Sequence, residues 1–387
     1  MNTSWHNMRI PLHIQRHAPL GAMVWLLLLI AGPLQLFGQA TSIEVPFFIG
    51  TYTGEASRGI YRSTLSLDDG SLSQPELVAE LTNPSFLALN PKHPVLYAVS
   101  EVGEGIVVAY SIGDGGKLTE LNRSSTDGSG PCYVTTNSDG TALLIANYGS
   151  GSISAIKIEA DGRLSNSRDS VQHIGRSVHP RQKSPHAHCI QFDPSEQFVF
   201  AVDLGLDKVL TYELDASSPK LAAASAEYRV APGSGPRHLA FHPNGRLGYV
   251  LNELNCTVES FRWDPDQKQL KTRQSARTTL PVDFESGFSC AEILVHPNGK
   301  FVYLSNRGHN SITCLDQNLS WISNISTSGK TPRNFRISPD GQFLLAENQH
   351  SDSIVVFKID PESGKLETTD HSIQVGSPVC IRFQSSP

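Results

Sequence analysis

Two histidines separated by one residue are candidates for acid–base chemistry. His186 and His188 lie in the segment Pro185-His186-Ala187-His188. An imidazole titrates near neutral pH and can act as a general base or a general acid. If the segment is a β-strand, alternation places both rings on one side of it. The alternative for such a pair is structural, with both rings bonded to neighbouring loops.

Two arginines and one glutamate supply a second kind of chemistry. Arg237 and Arg307 carry fixed positive charges suited to forked contact with a carboxylate, a phosphate or a developing oxyanion. Glu253 lies between them in the chain and is an obvious ion-pair partner. A carboxylate near two arginines should stay ionised, so we expect Glu253 to orient an arginine rather than to act as an acid.

A repeated phrase must position these residues. An apolar strand, a turn rich in Pro, Asn, Asp and Gly, and a second apolar strand run from Pro236 to Glu253, and the phrase recurs at a spacing near fifty residues. Its other copies begin at Pro84, Pro131, Pro185, near Ser289 and at Pro332. Several short strands per unit at this period are typical of a β-propeller.

A seventh copy is divided between the two ends of the chain. Pro378–Phe383 repeats the first strand at the C-terminus, and the segments Phe47–Tyr52 and Gly59–Leu65 supply the later strands. We therefore predict an all-β fold, a seven-bladed β-propeller whose ring is closed by N- and C-terminal strands in one blade. Closure in this way removes exposed strand edges.

The turns locate the candidate residues within this fold. Each tight turn reverses the chain, so the start of a first strand and the end of a second strand lie at the same rim. This brings His186, His188, Arg237, Glu253 and Arg307 to one mouth of the central channel, the default place for a ligand. For the other ionisable residues at comparable positions, nothing in the sequence beyond their position points to a function. We expect structural roles for them: Glu101, Asp203, Glu292, Arg333 and Glu347.

Composition excludes several other classes of function. The formal net charge is -6, and Lys and Arg are scattered, so we expect no nucleic-acid partner. The six cysteines fall mostly one per repeat in apolar strands, which favours free core thiols, with a single disulfide as the less favoured alternative. No CxxC occurs and no histidine pairs with a cysteine at ligand spacing, so we expect no metal and no other cofactor.

The first forty residues differ from the repeats. Basic residues precede an apolar run from Leu20 to Phe37, and Gly38-Gln39-Ala40 offers the small residues of a cleavage site. We interpret residues 1–40 as an export signal and residues 41–387 as the propeller domain. The run is short for a membrane span and is interrupted by Gly32 and Pro33, so we expect no stable span after cleavage and a periplasmic or secreted protein. A retained anchor is the alternative.

At these motifs the sequence resembles the lactonase-type seven-bladed propellers, which include the propeller class of 6-phosphogluconolactonase and the fungal 3-carboxy-cis,cis-muconate lactonizing enzymes. The resemblance covers residues 46–387. It is carried by these phrases: Gly50-Thr51-Tyr52-Thr53, His186-Ala187-His188, Gly235-Pro236-Arg237-His238, Asn252-Glu253-Leu254-Asn255, Ser305-Asn306-Arg307 and Asn348–Ile354.

The resemblance implies a metal-free site made of a histidine, two arginines and a glutamate. By motif these are His186 or His188, Arg237, Glu253 and Arg307. The implied activity is hydrolysis of a sugar-acid lactone, either 6-phosphogluconolactone-like or an unphosphorylated aldonolactone, which is a small-molecule partner. A muconate-type lactonizing cycloisomerase is the alternative enzyme, and a non-catalytic propeller that binds a ligand on the same rim is the alternative from another class.

Overall fold

The computed structural model describes residues 43–215, 217–281 and 287–384. Two short 3-10 turns, Asp114–Gly116 and Gln349–Ser351, are its helical elements in these ranges. Its strands, in chain order, are β1 (Glu44–Thr51), β2 (Gly59–Ser66), β3 (Glu76–Glu80), β4 (Leu87–Leu89), β5 (Val95–Ser100), β6 (Ile106–Ile112), β7 (Leu118–Ser125), β8 (Pro131–Thr136), β9 (Ala142–Asn147), β10 (Ser152–Ile158), β11 (Leu164–Gln172), β12 (Ala187–Phe192), β13 (Phe198–Asp203), β14 (Lys208–Asp215), β15 (Lys220–Leu221), β16 (Ala226–Arg229), β17 (Pro236–Phe241), β18 (Leu247–Asn252), β19 (Thr257–Asp264), β20 (Gln269–Thr278), β21 (Ser289–Val295), β22 (Phe301–Arg307), β23 (Ser311–Asp316), β24 (Trp321–Ser326), β25 (Pro332–Ile337), β26 (Phe343–Asn348), β27 (Ser353–Ile359), β28 (Leu366–Gln374) and β29 (Pro378–Phe383).

The described strands form seven antiparallel sheets, each one blade of a propeller. Blades 1 to 6 are β4–β7, β8–β11, β12–β16, β17–β20, β21–β24 and β25–β28, and blade 7 is β29-β1-β2-β3. Blade 3 departs from the four-stranded unit, because its outer edge consists of two short strands, β15 and β16, that both pair with β14. The predicted all-β seven-bladed propeller is confirmed.

Blade 7 closes the ring by joining the two ends of the chain. β1 pairs antiparallel with β29, so that Phe47 lies opposite Phe383 and Gly50 opposite Cys380. The Phe47 and Phe383 rings also meet edge to face, with centroids 5.4 Å apart. The predicted closure is confirmed, and β1 is paired on both sides, with β29 and with β2.

Buried tyrosines tie neighbouring blades together. Tyr97, Tyr249 and Tyr303 occupy the same position in the second strands of blades 1, 4 and 5, and all three are fully buried. Each hydroxyl donates a hydrogen bond of 2.8 Å to a backbone carbonyl of the next blade, that of Gly162, Gln317 or Gly364. The apolar ring thus fills the space between blades while its polar tip fixes their spacing.

The turns between first and second strands lie at the end of the channel away from the candidate residues. Gly245 and Gly299 adopt φ values of 71° and 75° there, which the Asn-Gly turns require. His242 and His296 bond the carbonyls of Gly299 and of Gly341 in the following blade, at 3.0 and 2.9 Å. These histidines are part of the turn structure.

The remaining expectations concern the cysteines and the N-terminal segment. All six cysteines are buried and carry free thiols in this structure. The proposed export signal, residues 1–40, lies outside the described residues. In the part of the chain that is described, no helix is both long and apolar enough to cross a membrane.

Candidate active site

β-Bulges at the starts of first strands turn side chains into the central channel. In β12 the pairing shifts between Ala187 and Cys189, so that His188 has no partner residue on β13. The same shift leaves one extra residue in three other first strands: Cys132 in β8, Arg237 in β17 and Arg333 in β25. All four bulged residues line one cavity in the channel, as a bulge re-aims its extra side chain.

Glu253 is the centre of a buried charge cluster at the rim. Its Oε1 accepts a hydrogen bond from Arg181 Nη1 at 2.6 Å, and its Oε2 accepts from Arg237 Nη1 at 2.7 Å and lies 2.9 Å from Arg307 Nη2. Burial alone would raise the pKa of Glu253, but the charges of Arg307 and Arg237 outweigh it and hold this pKa well below its usual range. Glu253 is therefore ionised, as the sequence analysis expected.

The loops around Glu253 fix its position. Glu253 follows β18, and its backbone N–H donates 2.7 Å to the carbonyl of Gly235, the residue before β17. Gly235 has a φ of 61°, and a Cβ there would lie 2.5 Å from the side chain of Leu254. Glycine meets both conditions without strain or a clash, so Gly235 allows the loop to hold the backbone of Glu253 in this place.

Blade 5 orients both predicted arginines. Arg237 donates through Nε to the carbonyl of Ala291 at 2.8 Å, and Arg307 donates through Nη2 to the carbonyl of Cys290 at 2.9 Å. Burial lowers the pKa of Arg307 to about 10, against the attraction of Glu253, and Arg307 remains charged at neutral pH. The two guanidinium groups are thus held in place by backbone oxygens and by one shared carboxylate.

The two candidate histidines lie in different environments. His188 is buried, and its Nε2 is 2.6 Å from Arg237 Nη1. Because arginine can only donate, His188 Nε2 is the acceptor and its lone pair is occupied. Burial, together with the charges of Arg237 and His238, holds the pKa of His188 well below its usual range. The imidazole of His188 is therefore neutral.

His186 is half-buried and reaches the rim surface. Its Nδ1 lies 2.9 Å from the carbonyl oxygen of Tyr148, so Nδ1 carries the proton and donates it to this bond. The ring stacks on Tyr148, with centroids 4.5 Å apart, and within the described ranges its Nε2 has one hydrogen-bonding neighbour, the hydroxyl of Ser184 at 3.5 Å. His186 thus presents an oriented Nε2 lone pair to the rim.

Arg181 belongs to the site and was missed by sequence reasoning. It lies in the segment between β11 and β12, outside the repeat, and bridges Glu253 to the hydroxyl of Tyr148, which it reaches at 3.1 Å. Its side chain is 46% exposed, the most open of the three arginines on Glu253. The one signal in the sequence was the length of this connection, which is anchored by buried Gln182.

A second polar chain lies below the cluster. Arg333 donates 2.9 Å to the hydroxyl of Tyr52, which in turn donates 2.8 Å to Glu101. Structural roles were expected for Arg333 and Glu101, but both line the channel cavity with His188. This cavity encloses only about 10 Å³, the space of one water molecule. A sugar-sized ligand must therefore bind at the solvent-exposed side of the rim, where Arg181 and His186 lie.

The other ionisable residues from the sequence analysis are held within the scaffold. Asp203 lies 2.6 Å from His173 and accepts the backbone N–H of His186, and Glu292 accepts from His238 at 2.7 Å. Glu347 is fully buried. Across the described ranges, no group of three or more His, Cys, Asp or Glu side chains is arranged to hold a metal ion.

Comparison with known proteins agrees with this architecture. Residues 46–383 match the family model described as lactonase, 7-bladed beta-propeller. The 6-phosphogluconolactonase of Bacillus subtilis (strain 168) is 36% identical over 343 residues, which cover 87% of this chain and 97% of that protein. A 6-phosphogluconolactonase of Formosa agariphila is 31% identical over 343 residues, covering 85% of this chain and 96% of that protein.

Among solved structures, the periplasmic gluconolactonase of Pseudomonas aeruginosa superposes with a TM-score of 0.83 at 33% identity, covering 89% of this chain and all of that one. A Lactobacillus plantarum protein gives the same TM-score at 32% identity, with 89% of this chain and 100% of that one covered. These proteins therefore resemble this chain in sequence as well as in fold, over nearly their whole length. This chain belongs to the family of seven-bladed β-propeller lactonases.

Proposed function

We propose that this protein hydrolyses the ring ester of a sugar-acid lactone at the Glu253 rim, giving the open-chain acid. The observation that carries the proposal is the Glu253 cluster, which holds Arg237 and Arg307 charged and oriented. Arg181 links this cluster to Tyr148, on whose ring the half-buried His186 stacks. The names of the relatives support the reaction class, since they include 6-phosphogluconolactonase and gluconolactonase.

His186 is the proposed general base. Its Nε2 takes a proton from a water molecule, whose hydroxyl adds to the lactone carbonyl carbon. The carbonyl oxygen gains negative charge, which Arg307 and Arg237 stabilise. When the tetrahedral intermediate collapses, the bond from carbon to the ring oxygen breaks, and the imidazolium returns its proton to the leaving alkoxide. The reaction proposed here uses no metal ion and no cofactor.

His188 has a different proposed role. Its Nε2 lone pair is bound to Arg237, so His188 positions this arginine rather than removing a proton from water. Glu253 has a similar role, because it fixes three arginines at once and stays ionised. Arg181, exposed at the rim, contacts the substrate's hydroxyl or anionic groups.

The proposed export signal bears on the substrate. A phosphorylated sugar lactone is a cytoplasmic metabolite, whereas residues 1–40 direct this chain to the periplasm or outside the cell. An unphosphorylated aldonolactone is therefore the preferred substrate. The periplasmic gluconolactonase of Pseudomonas aeruginosa, similar in sequence and structure, supports this choice.

The test is a direct assay of the mature protein against gluconolactone, 6-phosphogluconolactone and 3-carboxymuconate, corrected for spontaneous lactone hydrolysis. We expect the highest kcat/KM with gluconolactone. His186→Gln should lower kcat by about 10²–10⁴ and remove the decline of the rate at low pH. His188→Gln should retain that decline, because its amide oxygen can still accept from Arg237.

Three results would contradict the proposal. Turnover of carboxymuconate alone would make the protein a cycloisomerase. Binding of gluconate with no turnover of any lactone would make it a non-catalytic propeller. If His188→Gln lowered kcat more than His186→Gln and also removed the decline of the rate at low pH, His188 would be the base and His186 the positioning residue.

A further inference from the structure

The opposite end of the channel, here called the second mouth, carries an unusual ring of side chains. Each first strand contributes one residue, which lies two positions before the turn in blades 1 to 6 and at the equivalent position of β29 in blade 7. The seven equivalent residues line one pocket of about 610 Å³: Ala88, Thr135, Gln191, Ala240, Leu294, Arg336 and Arg382. Five members are uncharged, whereas the two arginines stand side by side in blades 6 and 7, so the positive charge is confined to one sector.

These two arginines have no acidic partner among the described residues. Arg336 makes no side-chain hydrogen bond or ion pair there, although it is half-buried. Arg382 lies over the Phe86 ring at 4.5 Å and donates one hydrogen bond of 2.7 Å to the carbonyl of Ile381. Most of the N–H donors of both guanidinium groups are therefore unused.

The carboxylates around the second mouth already have partners. Glu292 accepts from His238 and from Asn334, each at 2.7 Å. Glu196, on the pocket wall, accepts from the Ser138 backbone N–H at 2.7 Å and from its hydroxyl at 2.8 Å. These donors occupy the carboxylate oxygens, and among the described contacts neither Glu196 nor Glu292 forms a hydrogen bond with Arg336 or Arg382.

Two further carboxyl groups bear on the charge near the second mouth, those of Asp193 and Glu347. Asp193 is tied to its own turn, accepting from Ser195 Oγ at 2.7 Å and from the backbone N–H of Phe198 at 2.9 Å. Burial raises the pKa of Glu347 well above its usual range, against the attraction of Arg382, and so favours the uncharged form of Glu347. The positive charge that an anion can neutralise is therefore local to the sector of Arg336 and Arg382, since the acidic side chains of Asp193, Glu196 and Glu292 line other parts of the pocket wall.

We propose that the second mouth binds a small organic anion, whose carboxylate or phosphate group is held between Arg336 and Arg382. Planar guanidinium groups bind either oxyanion through forked hydrogen bonds. The pocket volume suits a ligand the size of a sugar acid, and Phe192 and Phe383 supply an apolar wall for its body.

This site is separate from the Glu253 rim. Phe86, Tyr133 and His238 pack between the two, with ring centroids 4.2 Å apart for Phe86 and Tyr133 and 5.4 Å for Tyr133 and His238. The proposal does not depend on lactone hydrolysis. It can hold for a protein that turns over no lactone.

Calorimetric titration with inorganic phosphate and, separately, gluconate tests the site in the intact protein. The double variant Arg336→Gln/Arg382→Gln should lose affinity for at least one probe by at least about tenfold, since it removes charge-assisted hydrogen bonds. Which probe loses affinity identifies the oxyanion. The control Leu294→Gln, an uncharged change in the same ring, should bind the probes like the wild type. Gluconolactone turnover in the double variant and in Leu294→Gln should equal that of the wild type.

A second variant tests the proposal even if the double variant does not fold. Leu294→Glu, in the blade next to Arg336, adds a carboxylate within the ring and should weaken probe binding while both arginines remain. A crystal soaked in selenate should show anomalous density between Arg336 and Arg382. Unaltered affinities in both variants, or selenate only at the Glu253 rim, would overturn the proposal.

Discussion

The two ends of the channel differ in what their arginines bind. At the rim, Arg181, Arg237 and Arg307 all contact one ionised carboxylate, Glu253. At the second mouth, Arg336 and Arg382 have no carboxylate in contact among the residues that the structure describes. A guanidinium held by a carboxylate is pre-organised for a transition state, whereas an unpaired one retains donors for a ligand.

Two buried glutamates express the same difference. Glu253 and Glu347 are both almost inaccessible to solvent, at 1% and 0%. Guanidinium groups hydrogen-bonded to Glu253 keep its pKa low, whereas burial raises the pKa of Glu347, whose oxygens accept no hydrogen bond from another side chain. Burial thus decides the charge of a carboxyl group only when donors are lacking.

The largest expected effect is the loss of the Glu253 charge. Glu253→Gln leaves Arg237 and Arg307 without their counter-ion in a buried site, so we expect unfolding in urea to become easier by about 3–5 kcal/mol. Lactone turnover should fall with it, because both arginines lose their common anchor. The measurement is a urea denaturation curve together with kcat.

Glu213→Gln is the matched control. Glu213 pairs with Lys268 at 2.6 Å on the surface, and both side chains are nearly half exposed. An exposed pair of this kind contributes about 0–1 kcal/mol, so the two substitutions should differ several-fold in cost. Equal costs would show that the Glu253 cluster is as solvated as a surface pair.

The second effect should have the opposite sign. Glu347 occupies the strand position where other blades carry Val99, Ala146, Val202 and Leu251. Replacing its buried carboxyl group by an apolar side chain removes a poorly bonded polar group, so Glu347→Leu should stabilise the protein by about 1–3 kcal/mol. Urea denaturation measures the change.

Glu347→Gln keeps the polarity and shape and should remain close to the wild type. If Glu347→Leu instead lowers the stability, the carboxyl group is ionised and paired with Arg382. That outcome would make the two ends of the channel alike.

Much of this architecture could be predicted from the sequence because it repeats. The phrase from Pro236 to Glu253 predicted the blades, the closure through Pro378–Phe383, and the rim that Arg237, Glu253 and Arg307 share. Strand reversal at a tight turn depends on local residues only. Glu347 was also visible as a polar residue at an apolar position of the repeat, although only a structural role was expected for it.

What the repeat could not predict is set by irregular backbone. The bulge in β12 places His188 in the channel, whereas strict alternation gave it the same side and the same rank as His186. Arg181 lies outside the repeat, so no copy could predict its contact with Glu253. The repeat places Arg336 and Arg382 at equivalent positions of adjacent blades, but only the structure shows which side chains surround them.

A third effect concerns pH. The folded pKa of His188 is well below its usual range, so between that pKa and about 6.5 the unfolded chain takes up a proton that the folded one does not. The stability contribution is complete above pH 6.5 and is lost as the pH falls, by about 1.4 kcal/mol per pH unit. In His188→Gln the stability should fall less steeply between pH 6.5 and 5.5. Equal slopes would mean that His188 takes up its proton as readily in the folded protein as in the unfolded chain.

The smallest effect on stability should come from the most exposed arginine of the rim. Arg181 is 46% exposed, so its bonds to Glu253 and Tyr148 compete with water, and Arg181→Gln should cost less than about 1 kcal/mol in urea. Its place on the open side of the rim predicts a raised KM with a smaller change in kcat. Arg58→Gln, which alters an exposed pair with Glu80, should change neither constant. If Arg181→Gln lowered the free energy of unfolding as much as Glu253→Gln does, the exposed Arg181 would stabilise the cluster as strongly as the buried Glu253. Arg181 could then not be described as a substrate contact separate from the buried anchor.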